Sequence, residues 1–589
     1  MPNDGSSEKP SAQLQTAVGL RQLGKLEQAQ IICEQLVRTG QFEAEALHQL
    51  GIIAYQRKQF SRAVELIDKA IAINPTDEAF YSNRGLALHE IKKFDLAIAD
   101  FDRAIAHKAD YVLAYYNRGN SLQALKKFDV ALADYDKAIS LKPDYAEAYS
   151  NRGVLLLELR NSDLAIADFD KAIAIDPKNA VFHNNRGLAL KALKKLDAAL
   201  ADYDKAISLK ADYAEAYSNR GVLLRELQRF DAAIADCDKA ISLRADYAEA
   251  YINRGNALKE LKKLGAALAD YDKAISLKSD FAPAYWNKAL TLLLGGDLQN
   301  GFELHEWRWK ALNIGRRDFV QPLWLGEAPL QGKTILLHSE QGLGDTLQFS
   351  RYASLVAKSG AQVLLEVQKP LVGILKGLEG ISRVLAQGEP LPAFDYHCPL
   401  LSLPLALRTT LKTIPADIPY IKAGQEELEV WSNRLGRKRK PRIGLAWSGS
   451  PLHKKDRDRN IEIVSLLPYL PNGCEYFALQ KDLREYDKAA LNLSAIHYLG
   501  EELEDFKDTA ALCELMDLVV SVDTSLAHLS GALGKLTWIL LPYVPDWRWL
   551  LNRDDSPWYP TVKLYRQNSD MKWGSVLESM RQDLMMTKC

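Results

Sequence analysis

The sequence predicts an α-solenoid followed by an α/β region of two lobes. Three observations carry this expectation. The tripeptide Asn-Arg-Gly returns at a fixed 34-residue period through the first half, apolar periodicity changes from helical to strand-like near Lys333, and polar or glycine-rich turns follow the apolar runs beyond it. At 589 residues the chain is also too long to enclose one core.

The tripeptide begins at Asn83, Asn117, Asn151, Asn185, Asn219 and Asn253, and Asn287-Lys288-Ala289 is a degenerate copy in the same register. Gly51 keeps the spacing to Gly85. This predicts about nine helical hairpins over residues 11–312, behind a disordered stretch at 1–10, with degenerate units at both ends as caps. In one unit, Tyr81, Gly85 and Leu88 mark a first helix, and Ala97, Phe101 and Ala104 a second. Small residues at 85, 97 and 104 let two helices approach, and the rings fill the space between neighbours.

At 100° per residue Asn83 lies about 160° around its helix from Gly85, away from the hairpin core. The asparagines at 83, 117, 151, 185, 219, 253 and 287 are therefore expected to form a ladder on the inner surface. A carboxamide has both a donor and an acceptor, which suits an extended peptide backbone. The alternative is a polar residue that merely suits the start of a helix. The units resemble the tetratricopeptide repeat residue by residue, which implies a protein or peptide partner in the groove. The array is also similar to that of the O-linked N-acetylglucosamine transferases in having asparagine at this position.

Composition narrows the function classes. Lysine and arginine total 75 against 76 aspartates and glutamates, which argues against a nucleic-acid partner. The six cysteines are scattered without a CxxC pair and read as reduced thiols. The start MPNDGSSEKPSAQ has no signal-peptide pattern, and no run of ~18 apolar residues predicts a membrane span. A cytoplasmic location is expected.

A packed aromatic connector is expected at 313–332, a first lobe at 333–430, a basic linker at 431–442 and a second lobe at 443–585. The apolar run 334–337 leads into Gly342, Gly344 and Asp345 and then an amphipathic helix over 346–355, which reads as strand, glycine turn, helix. Leu347 stands where a dinucleotide fingerprint needs its third glycine, so a nicotinamide enzyme is the lesser alternative, and no P-loop is present. In the second lobe the strand at 443–447 ends at Ser448, Gly449 and Ser450, with Lys454 and Lys455 close behind. Another strand ends at Gln480 and Lys481, and a third, 518–522, at Asp523, Thr524, Ser525 and His528. Hydroxyls, a glycine turn and cations at the carboxyl ends of strands suit phosphate oxygens. Asp456 and Asp458, flanked by Arg457 and Arg459, read as a solvated charge cluster, so no metal is expected. The tryptophan-rich segment 547–558 reads either as a stacking surface for base or sugar or as core.

GLGDTLQF at 342–349 and DTSLAH at 523–528 resemble the two signatures of the ADP-heptose lipopolysaccharide heptosyltransferases. That resemblance implies two Rossmann-like lobes (the GT-B architecture) and transfer of a sugar from a nucleotide diphosphate donor, with the nucleotide sugar as co-substrate and no cofactor. It assigns Asp345 as the base for the acceptor hydroxyl and Asp523, Thr524 and His528 to contacts with the donor, with Asp345 and His528 as the expected catalytic residues. The acceptor pattern of that family is absent, so its acceptor is not implied. A scaffold that binds a nucleotide sugar without turnover is the alternative from another class.

Overall fold

A computed structural model describes residues 10–451 and 456–586 of the chain. The disordered stretch expected at 1–10 falls outside them except for Pro10, which opens the first helix; Lys454 and Lys455 fall outside them too. Two compact units are present: residues 1–229 with 242–244, and residues 230–241 with 245–589. Among the described residues no helix is long and apolar enough to cross a membrane.

Among the described residues, eighteen helices, from Pro10–Gln22 to Leu298–His305, form the α-solenoid as nine hairpins. The glycines explain how closely each pair packs. A Cβ on Gly85 would lie 2.8 Å from Phe101, and one on Gly119, Gly153 or Gly187 would lie 2.7–2.9 Å from Tyr135, Phe169 or Tyr203. Each ring stands sixteen positions after its glycine, on the second helix of the same hairpin. At the turn between helices Lys92, Lys126 and Lys194 sit at φ of 58–60°, where Gly24 serves in the first hairpin. These are left-handed C-caps: Lys93 N–H reaches Leu88 O at 2.9 Å and Lys127 N–H reaches Leu122 O at 2.9 Å.

The arginine of each tripeptide has a function that sequence reasoning missed. Arg84 donates from Nε and Nη2 to buried Asp100 at 2.7 and 2.6 Å and from Nη1 to Asp68 at 2.6 Å. Arg118, Arg152 and Arg186 repeat the pattern with Asp134 and Asp102, Asp168 and Asp136, and Asp202 and Asp170. Each guanidinium forks onto a buried aspartate of its own hairpin and reaches an exposed aspartate of the preceding one, so consecutive hairpins share a surface charge-assisted bond as well as apolar surface.

The α/β region holds two parallel sheets. The first contains β1 (Thr334–His338), β2 (Gln362–Val367), β3 (Ile381–Ala386) and β4 (Tyr396–Pro399) in the order β3-β2-β1-β4. The second contains β5 (Arg442–Ala446), β6 (Glu475–Ala478), β7 (Ile496–Tyr498), β8 (Leu518–Val522), β9 (Thr537–Leu541) and β10 (Val562–Arg566), in the order β10-β9-β8-β5-β6-β7. Strand order reverses between β1 and β4 and again between β5 and β8, and the crevices at such reversals are where parallel sheets hold ligands.

Two local expectations are corrected and one open alternative is resolved. The helix expected at 346–355 is two short ones, Leu343–Phe349 and Tyr352–Lys358, with Ser350 Oγ bonded back to Leu347 O at 2.9 Å between them. The basic linker at 431–442 is helical to Leu435 and is already in β5 at Arg442. Arg442 is buried because its Nη2 donates to Leu435 O and Gly436 O, satisfying carbonyls at the end of that helix. In the segment 547–558, open between a stacking surface and core, the tryptophans at 547, 549 and 558 are buried as core, while Arg548 lines a cavity.

Candidate functional site

The turns that leave β1, β5, β6 and β8 line one cavity of about 780 Å³. Gly342, Gly344, Asp345, Ser448, Gly449, Ser450, Gln480, Lys481, Asp523, Thr524, Ser525 and His528 all face it. Every described residue expected at the donor or catalytic site is thus in one place, although these motifs are up to 186 positions apart in sequence.

Their individual bonds separate the roles. Asp345 is not the N-cap of its helix; Gly342 is, and the Gly342 N–H donates to Asp345 Oδ2 at 2.9 Å. The other carboxylate oxygen pairs with Arg548, which is 7% exposed and also donates to Asp546 at 2.7 Å. Arg548 sits in the 3-10 turn Trp547–Trp549, with its guanidinium 4.4 Å from the centre of the Trp547 ring.

His528 is buried in the Ser525–Ala532 helix and stacks on Trp549 at 5.2 Å between ring centres. Its Nδ1 is 3.1 Å from the Tyr559 hydroxyl. Burial, then the positive charge of Arg548, lowers its pKa to about 3, so the ring is neutral. A Cβ on Gly344 would lie 2.9 Å from His528 Cδ2, so glycine there lets the β1 turn meet the helix that follows β8.

Asp523 is pushed above the usual carboxylate range by burial first and by Asp546 second. Thr524 caps the Ser525–Ala532 helix without a side-chain bond to the backbone; the Ala527 N–H donates to Thr524 O at 3.1 Å, and Thr524 and Ser525 line the cavity, so the start of that helix borders it. Gln480 is a brace: Oε1 accepts from Trp447 N at 3.0 Å and Nε2 donates to Ser448 Oγ at 3.1 Å, joining the ends of β5 and β6. Lys481 donates to Glu504 O at 3.2 Å.

Sequence reasoning missed two arginines here. Arg459, assigned to a solvated cluster, lines the cavity instead and donates from Nη1 to Asp523 O at 2.8 Å. Its neighbour Asp456 is paired with Arg484 at 2.7 Å. No motif marks Arg459 or Arg548, because each finds its partner only through the fold. Among the described residues no group of three or more His, Cys, Asp or Glu could hold a metal ion.

The asparagine position lies between hairpins rather than open to a ligand on all sides. Asn83 Nδ2 is 2.8 Å from His48 Nε2, and Asn117 is 9% exposed. Asn151 Nδ2 donates to Tyr116 OH at 2.8 Å and Asn120 Oδ1 at 2.9 Å, and Asn219 Nδ2 to Asn184 Oδ1 at 2.9 Å. Asn185 accepts from Asn184 at 3.3 Å, and Asn253 and Asn287 are half-buried in the second unit. The amides of Asn83, Asn151 and Asn219 therefore bridge neighbouring first helices.

Comparison with known proteins bears on the repeats. The tetratricopeptide repeat family matches residues 44–77, 116–180, 169–201, 190–225, 214–247 and 248–281. Protein FlbA of Caulobacter vibrioides is 27% identical over 306 residues, 47% of this chain and 51% of that protein. The chain thus spans about half the length of the curated relative it matches. Among solved structures, the Cut9-Hcn1 hetero-tetramer of the APC/C is 15% identical, with a TM-score of 0.39 over 45% of this chain and 52% of that one. A tetratricopeptide repeat protein from Parabacteroides merdae is 22% identical, with a TM-score of 0.37 over 42% of this chain and 98% of that one. YrrB, a repeat protein described as having an unusual peptide-binding site, is 27% identical, with a TM-score of 0.26 over 32% and 98%. The N-terminal half of the chain is an array of tetratricopeptide repeats.

Proposed function

We propose that the chain is a metal-independent glycosyltransferase of GT-B architecture, which moves a sugar from a nucleotide diphosphate donor to a hydroxyl of a protein or glycan recruited by the repeats. The observation that carries this reading is the convergence of the β1, β5 and β8 turns on one cavity, at the strand-order reversals of both sheets. The carboxylate of Asp345 comes from the first sheet; the helix N-terminus after Thr524 and the Arg459 guanidinium come from the second.

The chemistry follows from that arrangement. The acceptor oxygen attacks the anomeric carbon while the bond from that carbon to the diphosphate breaks, and the electron pair leaves with the nucleoside diphosphate. The N–H groups at the start of the Ser525–Ala532 helix, with Arg459, stabilise the growing phosphate charge. Asp345 takes the proton of the acceptor hydroxyl. Neutral His528 holds the β1 turn against that helix and so sets the spacing between base and donor.

A second reading, a scaffold that binds the nucleotide sugar without turnover, is favoured by one observation: both oxygens of Asp345 are already engaged. The two readings part in one experiment. The full chain is screened by thermal shift with UDP-, GDP- and ADP-sugars, where a ligand at ~100 times its dissociation constant adds ~2.7 kcal/mol. Release of nucleoside diphosphate is then followed with EDTA present. Binding with turnover in EDTA is expected; binding without turnover supports the scaffold, and no shift with any donor sinks both.

A further inference from the structure

The last hairpin of the array is built into both walls of the cavity. Arg308, 1% exposed, stands just after that hairpin and donates from Nη2 to Glu340 at 2.9 and 3.2 Å and to Ser402 Oγ at 2.7 Å. Its Nη1 donates to Glu306 at 2.6 Å. Glu340 lies on the β1 turn just ahead of Gly342, and Ser402 follows β4, so the guanidinium fills the fork where the loops from those two strands diverge.

The other wall is held from the same hairpin. Phe302 and His305 meet the Trp547 ring edge-on, at 5.6 and 6.4 Å between ring centres, and Arg548 lies over that indole. One path therefore runs from Arg308 through Glu340 to the turn bearing Asp345. The other runs from Phe302 through Trp547 to Arg548. Both end on the same ion pair.

Resting on the transferase reading, we propose that Arg308 and Phe302 are positioning residues, through which the end of the repeat array sets where Asp345 and Arg548 meet. Packed side chains and buried ion pairs have few alternative arrangements, so a displacement of this hairpin is passed to both walls. Neither residue touches the donor in this proposal. They act through the seat of the base.

The test is hydrogen–deuterium exchange on the full chain, which needs no ligand. Arg308→Met is expected to raise exchange over 340–349 at least tenfold and leave β6, β8 and β9 unchanged, with Arg308→Lys restoring part of the protection. Phe302→Leu, a milder change that keeps the fold, is expected to raise exchange over 546–549 in the same selective way. With any nucleotide sugar that the wild type hydrolyses, both variants should lower kcat and keep KM. Unchanged exchange in both segments, or a rise spread evenly through the second sheet, overturns the positioning role. A wild type that hydrolyses no nucleotide sugar sinks the transferase reading and leaves the exchange result standing.

Discussion

Arg548 and Asp345 form an ion pair across the cavity, joining the loop after β9 to the turn after β1. A carboxylate held this way is fixed in place, but it must exchange its arginine contact for the acceptor hydroxyl to act as a base. Asp345→Asn is therefore expected to leave donor affinity within about twofold and lower turnover by roughly 10² or more, the effect of losing a general base. Isothermal titration and a product assay on the same preparation check both halves. Intact turnover in the variant would assign Asp345 to structure alone.

The neutral His528 ring gives a pH signature. Its folded pKa, about 3, lies below its ordinary 6.5, so the unfolded chain takes the proton first on acidification. Stabilisation from this group is complete above pH ~6.5 and falls toward pH 3 by up to about 1.4 kcal/mol per pH unit. Glu340, pushed up to about 7 by burial, has the opposite sign: its contribution is present below its unfolded value and is lost as pH rises through 7. In His528→Gln the slope of stability against pH between 6 and 4 should fall by about 1.4 kcal/mol per unit. All eleven tryptophans lie at or beyond Trp286, so fluorescence-detected urea unfolding reports this unit. An unchanged slope would mean that His528 is not buried as a neutral ring.

In the array, Gly153 and Phe169 should behave as one packing element. A methyl group at 153 would come within 2.8 Å of the Phe169 ring, so Gly153→Ala is expected to cost about 1–3 kcal/mol by overpacking. Adding Phe169→Leu should return part of that loss. A double-mutant cycle by circular dichroism measures the coupling, and simple additivity would show that the two do not share the space.

The asparagine ladder can be tested with its bridging role in view. Asn151→Ala removes a carboxamide that bonds Tyr116 and Asn120, so it should lower array stability by about 1 kcal/mol even without a ligand. Replacing Asn151, Asn185 and Asn219 together should also weaken capture of the acceptor and leave donor affinity unchanged. A triple variant that loses stability but captures the acceptor as well as the wild type does would confine these amides to bridging hairpins.

The replacement of Lys126 by Gly bears on the hairpin turns. Lys126 sits at φ 58°, a region that strains a side chain, and Gly24 occupies the corresponding turn of the first hairpin. Lys126→Gly is expected to be neutral or to stabilise the array by up to ~1 kcal/mol, although glycine usually destabilises helical proteins. Thermal unfolding that shows a loss of more than ~1 kcal/mol would contradict this.

What the sequence determined by itself was whatever is encoded by near neighbours. The hairpins were legible because Gly85 and Phe101, sixteen positions apart, recur with the same spacing in copy after copy. The glycine and hydroxyl turns were legible because a strand, its turn and the next helix are contiguous in the chain. Tertiary structure alone decided which charges meet. Arg84 reaches Asp68 of the preceding hairpin, Arg459 reaches Asp523 across 64 positions, and Arg548 reaches Asp345 across 203. A guanidinium pairs with whatever carboxylate or carbonyl the packed backbone places at its end, and sequence spacing carries no record of that distance.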